Sequence, residues 1–167
     1  YIPAYWNMTK YHGHIWALPS TPTSTALNYN ADLVRQLGYD PAKPPRTLEE
    51  FTERADKMTL MKNGHLIRAG FLPSQPGNWG WGWGYMFGGT LWDGKKVVAD
   101  TPENVRAYEW VQSFYKKYGP DEAKTFSNGF GSTTSPQNPF IEGKVVYELE
   151  AVWTHNTVHR YSHMKRG

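Results

Sequence analysis

The sequence contains no cysteine and no long hydrophobic run, and each absence excludes a class of protein. Without cysteine there are no disulfides, no thiolate zinc sites and no cysteine nucleophile. No stretch approaches the roughly 18 consecutive apolar residues that a membrane-spanning helix needs. The charge excess is also small, since 18 Lys and Arg face 15 Asp and Glu and leave a formal charge of +3. This excess is too small and too scattered to indicate nucleic-acid binding.

What the sequence has in abundance is aromatic side chains, which make up 16% of its 167 residues and include 8 tryptophans. Apolar residues account for 39% and charged residues for 20%, a balance typical of a folded domain. The length suits a single domain with its own core. The chain starts at Tyr1 without a targeting segment and stops at Gly167 without a closing signal, so we expect it to be part of a longer protein.

Short apolar runs and helix-start signals alternate along the chain. The runs, which are typical of strands covered on both faces, lie at His14–Leu18, Thr25–Tyr29, Leu66–Leu72 and Lys144–Leu149. Capping side chains predict that helices begin after Asn30, Thr47 and Thr101. Strands that alternate with helices predict an α/β layered domain. Phe71–Gly94 and Thr125–Pro139 fit neither pattern, and long irregular segments of this kind often carry function.

The first irregular segment holds the strongest chemical indication. Trp79, Trp81 and Trp83 alternate with glycines, so the backbone can bend while flat rings stand at its surface. A sugar ring has an apolar face of C–H groups that stacks on indole, while polar side chains nearby bind its hydroxyls. The alternative is that these rings fill the core beneath a glycine-rich loop. Nucleic-acid bases also stack on aromatic rings, but proteins that bind them add a basic groove, and the charges nearby are few and mixed.

The strand before Trp153 carries two carboxylates. Glu148 and Glu150 are two positions apart and therefore share one side of an extended chain. Such a pair can serve a glycoside hydrolase as acid and base. The alternatives are a carboxylate that binds a ligand by hydrogen bonds, or a solvated pair.

Three histidines follow at helical spacing. His155, His159 and His163 recur every four residues, so on a helix they form one stripe, and two histidines one turn apart can bind zinc. The acidic residue that metalloproteases place beside such histidines is absent. We interpret them as surface histidines and expect neither a metal nor a cofactor.

Taken in order, six segments resemble motifs of the carboxy-terminal lobe of family 1 extracellular solute-binding proteins, the sugar-binding subunits of ABC importers. They are Tyr11–Pro19, Ala26–Leu33, Pro44–Phe51, Trp79–Gly89, Asp100–Val105 and Phe140–Tyr147, followed by Trp153. The resemblance implies a three-layer α/β lobe with a mixed sheet, of the type II periplasmic-binding-protein kind. It implies that residues 1–167 are one lobe of a two-lobe protein whose amino-terminal lobe is missing, and that residues 1–24 form the hinge segment that leads into the lobe.

The resemblance also implies a site that binds a sugar without catalysis. Trp153 aligns with a ring that stacks on sugar, and Trp79 or Trp81 aligns with the aromatic wall of the site. Thr23 and Ser24 follow the crossing between lobes, where family members place polar ligand contacts. One departure is that the family's glycine before the tryptophan is absent, because the sequence reads Glu150-Ala-Val-Trp153. The expected ligand-binding set is Trp79, Trp81, Trp83, Trp153, Glu150, Thr23 and Ser24.

The expected partners follow from the same resemblance. They are a mono- or oligosaccharide, the missing lobe and the permease of an importer, outside the cytoplasm, with an exposed cleft face that invites pairing with a second copy. Two alternatives remain open at this point. One is a glycoside hydrolase that uses Glu148 and Glu150, and the other is a nucleic-acid or structural interaction module.

Overall fold

The computed structural model describes residues 2–21, 23–74 and 80–162. Within them the helices are α1 Pro3–Asn7, α2 Ala31–Gln36, α3 Leu48–Met58, α4 Gly82–Met86, α5 Pro102–Tyr118, α6 Pro120–Asn128 and α7 Thr154–Tyr161. The strands are β1 Lys10–Tyr11, β2 His14–Ile15, β3 Thr25–Tyr29, β4 Leu60–Lys62, β5 His65–Phe71 and β6 Val145–Ala151. In this described part of the chain, none of the helices has the length and apolar character that crossing a membrane requires.

Strands β3 to β6 form a mixed sheet of four strands in the order β3-β6-β5-β4. The two central strands, β6 and β5, run parallel with Phe71 opposite Tyr147, and each outer strand is antiparallel to its neighbour. β1 and β2 form a separate two-stranded hairpin. A mixed sheet combined with helices confirms the α/β class expected from the sequence.

Both faces of the central strand β6 are covered. Val145, Val146, Tyr147 and Glu148 are consecutive, and each is at most 1% exposed. Because successive side chains of a strand point to opposite faces, the sheet is buried on both sides at this strand. This burial is what a three-layer arrangement requires.

An aromatic cluster forms the centre of the core. Phe71, at the end of β5, contacts Phe51 of α3 edge to face with ring centroids 5.0 Å apart, and Phe114 of α5 at 5.4 Å. Trp110 of α5 and Trp83 of α4 lie 5.9 Å and 6.1 Å from the same ring. Aromatic pairs add about 0.5–1.5 kcal/mol each beyond the area that they bury, so this cluster fixes three helices against the sheet.

A buried hydrogen-bonded group joins α3, α5 and β5. A Cβ atom on Gly70 would lie 1.8 Å from the backbone oxygen of Ala55, so β5 can approach α3 this closely only with glycine there. The Gly70 N–H donates to the Thr59 hydroxyl at 3.0 Å, which lies 3.1 Å from the hydroxyl of Tyr118. Tyr118 donates in turn to the Phe71 carbonyl at 3.0 Å. Burial raises the pKa of Tyr118 to about 12.

The helix starts expected from the sequence are confirmed. The side chains of Asn30, Thr47 and Thr101 each accept a hydrogen bond from the backbone N–H three residues later, at 3.0, 3.1 and 3.3 Å. Thr47 and Glu50 have the spacing of a capping box, in which the glutamate side chain also accepts a hydrogen bond from the N–H of the capping residue. Glu50 accepts from the N–H of Arg46, at 2.9 Å, instead of from Thr47 itself.

Two other expectations need correction. The strand expected at His14–Leu18 covers only His14–Ile15, because β1, its one partner in the described structure, is two residues long. The irregular segment expected from Thr125 begins inside helix α6, which starts at Pro120 with acidic residues in its first turn. Proline at the first position and acids beside the positive end of the helix dipole favour such a start.

The segment before β3 differs from the rest of the described chain in its exposure. Its apolar side chains are largely in solvent, with exposed fractions from 54% to 81% at Ile2, Met8, Tyr11, Ile15, Trp16 and Leu18. None of these residues belongs to the cluster of buried side chains that forms the core. The segment therefore adds little to the packing of the lobe.

Candidate functional site

The sheet brings three chain segments to one edge. Because β5 and β6 are parallel, their carboxyl ends lie at the same edge, and the antiparallel strand β3 begins there. Open α/β sheets bind ligands in the crevice outside the carboxyl ends of their strands. Ser24, Leu72 and Val152 each adjoin the end of one of these strands, so this edge is the candidate site.

An open depression of about 320 Å³ lies beside this edge. It is lined by Ser24, Ala26, Asn28, Glu150, Ala151, Val152 and His155. Ser24, directly before β3, and the β3 residues Ala26 and Asn28 lie at alternate positions along an extended chain and so share one face. The lining offers a hydroxyl, an amide, a carboxylate and an imidazole beside small apolar side chains. This combination can donate and accept hydrogen bonds with a ligand that carries several hydroxyl groups.

Glu150 is the only carboxylate among the lining residues of this depression. It is 9% exposed, lies opposite Ala26 in the sheet, and accepts a hydrogen bond from the Ala151 N–H at 2.8 Å. The side-chain NH₂ of Asn28 donates to the Glu150 carbonyl at 3.2 Å, which ties the two strands together. The carboxylate is therefore held in place at the end of β6.

The second carboxylate of the pair does not reach the depression. Glu148 shares the face of Glu150, as the sequence predicts, but it is fully buried and is not among the lining residues. An acid and a base that flank one sugar must both contact it. The geometry of the described residues therefore gives no support to the hydrolase that uses Glu148 and Glu150.

Trp153 directly follows Val152 of the depression and caps the start of α7. The indole is half-buried. Its carbonyl oxygen accepts the backbone N–H of Thr157 at 3.1 Å and the Thr157 hydroxyl at 3.2 Å. Helix α7 thus anchors the backbone of Trp153 beside the site while leaving part of the ring exposed.

The three tryptophans of the glycine-rich segment have different positions. Trp79 lies outside the described residues. Trp81 is 56% exposed, as a ligand-binding ring must be. Trp83, by contrast, is 4% exposed and packs on Phe71 and Trp110, so the expectation that it stands at the surface is corrected. Trp83 is buried because it lies on the side of α4 that packs against α5.

Thr23 and Ser24 both lie next to the start of β3. Ser24 is exposed and lines the depression. Thr23 is half-buried, and its hydroxyl oxygen is buried without a hydrogen-bond partner among the described residues. Ser24 is therefore placed to contact a ligand, while the structure brings no group of Thr23 to the depression.

The helical stripe of histidines is present in part. His155 and His159 lie on α7 with their rings parallel and 6.5 Å apart, while His163 lies outside the described residues. Among the residues that the structure describes, no three His, Asp or Glu side chains are grouped to hold a metal ion. His155 instead contributes to the depression.

Sequence reasoning missed both of the other polar residues that line the depression, Asn28 and His155. The spacing of Asn28 indicated its position, since it lies two residues after Ala26 in β3 and four after Ser24, and residues at even spacing in an extended chain share one face. His155 was noticed only as a member of the histidine stripe. Its place in the lining of the depression depends on the turn between β6 and α7, which the local sequence does not specify.

The fold and the edge site define a ligand-binding α/β domain, and the comparisons with known proteins narrow this class. The chain belongs to the family of bacterial extracellular solute-binding proteins, whose model matches residues 1–160. No curated protein matches the chain.

Solved structures support this assignment. CpMnBP1 with mannobiose bound is 30% identical over 99% of the chain with a TM-score of 0.87, and CpMnBP1 with mannotriose bound is 29% identical over 99% with a TM-score of 0.85. Maltose-bound MalE3 of T. maritima, 24% identical over 99% of the chain with a TM-score of 0.66, shares the fold. The chain spans only 43%, 44% and 42% of the length of the chains in these three structures.

Proposed function

We propose that this chain is one lobe of the sugar-binding component of an ABC importer and that it supplies half of a carbohydrate site. The observation that carries the proposal is the depression at the sheet edge, where Ser24, Glu150 and His155 offer hydrogen bonds beside the half-buried Trp153. Two structures similar to the chain hold mannobiose and mannotriose. Carbohydrates are therefore the ligand class that both the chemistry and the relatives favour.

The ligand contacts divide into stacking and hydrogen bonding. Trp153 provides an indole face for the C–H surface of a sugar, and Trp81 provides a second one. Glu150 accepts hydrogen bonds from sugar hydroxyls, because an ionised carboxylate is a strong acceptor with two oxygens. Ser24 both donates and accepts. Trp79 is kept among the proposed ligand-binding residues only because of its position in the sequence.

The remaining part of the site belongs to a second lobe. The chain spans less than half of the length of CpMnBP1 in both of its structures, and the exposed apolar side chains of residues 2–21 are a surface for the rest of such a protein. Residues 1–24 would form the hinge segment. Closure of two lobes on a sugar is a hinge motion, and the closed form is what a permease would recognise.

No catalysis is assigned to the site. The family is described as one of extracellular solute-binding proteins, which agrees with binding without chemistry at the level of the family. The same description favours a location outside the cytoplasm.

The test is sugar binding by the 167-residue chain, followed by NMR shifts of the tryptophan indole resonances. We expect millimolar affinity for mannobiose, because half of the hydrogen bonds and half of the buried surface are absent. Glu150→Gln and Trp153→Ala should weaken binding, whereas Trp92→Ala, which removes a ring that is 55% exposed and does not line the depression, should not. Micromolar binding by the chain alone would contradict the half-site, and no shift with any saccharide would contradict carbohydrate binding.

A further inference from the structure

Two Asn-Gly pairs occur in the chain, at Asn63-Gly64 and at Asn128-Gly129, and the structure describes both. Such a pair is chemically reactive, because glycine has no side chain to shield its backbone nitrogen from the side-chain amide of the asparagine before it. The nitrogen attacks only when the backbone is free to bring it to the amide carbon, so the fold decides which pair reacts. The two pairs lie in different kinds of structure and can be compared within one chain.

Asn63 and Gly64 form the turn of the β4–β5 hairpin. Lys62 is paired with His65, so the turn has only two residues, and both have positive φ angles, 52° for Asn63 and 81° for Gly64. These are the angles of a type I′ turn, for which Asn-Gly is a preferred sequence. The turn and all three residues of β4, an edge strand of the sheet, are exposed. An exposed hairpin at a sheet edge opens at a low cost in free energy.

The reacting groups of this turn are also available. In the part of the chain that the structure describes, the Gly64 N–H has no acceptor, and the side-chain amide of Asn63 makes no hydrogen bond. No hydrogen bond must therefore break before the Gly64 nitrogen loses its proton and attacks.

Asn128 and Gly129 are held by the end of α6. Asn128 is the last residue of the helix, and Gly129 keeps a helical backbone with φ of −77°. The Gly129 N–H donates to the Phe126 carbonyl at 3.2 Å. On either side of the pair, the rings of Phe126 and Phe130 pack edge to face with centroids 4.8 Å apart, and Phe126 is only 9% exposed. Movement of this backbone would break both the hydrogen bond and the aromatic contact.

We propose that Asn63 is a site of spontaneous deamidation in the folded protein and that the fold protects Asn128 from the same reaction. The Gly64 nitrogen bonds to the side-chain carbonyl carbon of Asn63, and the bond from that carbon to the side-chain nitrogen breaks. Ammonia leaves with the proton that the Gly64 nitrogen has lost. Water then opens the cyclic imide at either of its carbonyl carbons, which gives an aspartyl or an isoaspartyl residue at position 63. The net reaction consumes one water, releases one ammonia and involves no oxidation.

The modified turn lies far from the candidate sugar site. It precedes the amino end of β5, whereas the depression lies at the opposite edge of the sheet, where β6 ends. The length of β5 separates the two by about 20 Å, at about 3.3 Å per residue. Both products add a negative charge beside His65, which contacts Glu122 at 3.3 Å, and the isoaspartyl product also lengthens the backbone of the turn by one carbon atom. Sugar binding is therefore not needed for the reaction.

The experiment compares the two pairs in the folded and in the unfolded chain. The 167-residue protein is incubated at pH 8 and 37 °C, in buffer and in guanidinium chloride. Trypsin then releases the two pairs in separate peptides, residues 63–68 and 125–144. Mass spectrometry measures the mass gain of deamidation, and an isoaspartyl methyltransferase detects the isoaspartyl product. Asn63→Gln, whose longer side chain disfavours the five-membered ring, should abolish the reaction in the first peptide, while Asn128→Gln, the matched control, should leave it unchanged.

In the folded chain we expect Asn63 to react at least about 10-fold faster than Asn128, because the hairpin opens more readily than the end of α6. In guanidinium chloride the two rates should agree within about 2-fold, since both backbones are then free.

Three results would overturn the inference. One is that Asn128 reacts as fast as Asn63 in the folded chain. Another is that the folded chain keeps Asn63 intact over a period in which guanidinium chloride converts both pairs. The third is a 10-fold difference that persists in guanidinium chloride, since flanking residues and not the fold would then cause it.

Discussion

Trp81 and Trp83 are two tryptophans separated by a single residue, and their surroundings are opposite. Trp83 is 4% exposed and packs among the rings of Phe71 and Trp110, whereas Trp81 is 56% exposed and contacts Tyr85 edge to face. Two residues correspond to about 200° around a helix, so α4 must turn one ring inward and the other outward. The comparison teaches that alternation of Gly and Trp marks an aromatic segment without telling which rings are available to a ligand.

The same contrast separates two regions of the molecule. The cluster around Phe71 holds α3, α4 and α5 against the sheet, and its rings are used for stability. The rings of Trp81 and Tyr85, about half of whose surface is exposed, bury less area and contribute less to the stability of the fold. A protein that keeps large apolar rings at its surface without gaining stability from them favours a ligand-binding role for those rings.

The largest expected effect tests this contrast directly. Trp83→Ala should lower the free energy of unfolding by about 3–5 kcal/mol, because it leaves a cavity in the aromatic cluster. Trp81→Ala should change it by no more than about 0.5 kcal/mol, since the ring is largely in solvent. Urea denaturation of the two variants and the wild type measures both values. Equal losses for the two variants would show that the rings do not differ in burial.

A smaller effect is expected for Tyr118, one of two side chains that form a hydrogen bond with the backbone of β5. Tyr118 lies in the core, whereas the other side chain, that of Glu122, lies near the surface. Tyr118→Phe removes the hydroxyl that donates to the Phe71 carbonyl, so we expect a loss of about 1 kcal/mol at neutral pH. Burial raises the pKa of Tyr118 to about 12 from its usual value near 10.0. The folded state thus keeps the phenol proton that the unfolded state releases more readily.

This raised pKa makes a prediction about alkaline pH. The stability contributed by the neutral phenol is fully present below pH 10 and is lost as the pH rises from 10 toward 12, because only the unfolded chain ionises there. The stability difference between the wild type and Tyr118→Phe should therefore shrink over this range. Denaturation curves at pH 7 to 11 measure it. A difference that does not change with pH would contradict the burial of this hydroxyl.

The smallest effect is expected at the surface counterpart, Glu122 of α6. Its carboxylate accepts the Leu66 N–H at 2.6 Å and contacts His65 at 3.3 Å. The backbone hydrogen bond from Leu66, with a smaller contribution from His65, lowers the pKa of Glu122 below its usual 4.5. The stability that it contributes is present above pH 4.5 and is lost as the pH falls through the lower folded value.

Glu122→Gln should therefore be slightly less stable than the wild type at pH 7, and the difference should fade on acidification to pH 3. Thermal denaturation between these pH values measures the change, with Glu109→Gln, at an exposed position of α5, as the control. If Glu122→Gln costs as much as Trp83→Ala, the order of effects from core to surface is wrong.

Local features of this chain were predictable because they depend on neighbouring residues. Asn30, Thr47 and Thr101 cap helices as their side-chain chemistry and position indicate. Strands β3, β5 and β6 appear within two residues of the apolar runs that predict them. Helix α6 was not predicted, because the Gly119-Pro120 pair at its start is also the usual signal that ends a helix.

The candidate site was predictable only in part. Glu150, Ser24 and Trp153 adjoin strand ends, so a sequence reading that places the strands also places them near one edge. The orientation of Trp83 depends on which side of α4 other elements cover. The separation of Glu148 from the depression depends on how far along β6 the common face of Glu148 and Glu150 is covered. Contacts of this kind join residues far apart in the sequence.

By itself, the sequence determined the aromatic content, the helix caps, the strand positions and the family pattern, because each arises from the chemistry of residues close together in the chain. Only the tertiary structure decided which rings are buried, which carboxylate meets the depression, and that Tyr85 stands beside Trp81 on an open side of α4. The physical reason is that burial is a property of packing. A side chain is buried when segments that are distant in the sequence pack over it, and a local sequence pattern does not specify where those segments will pack.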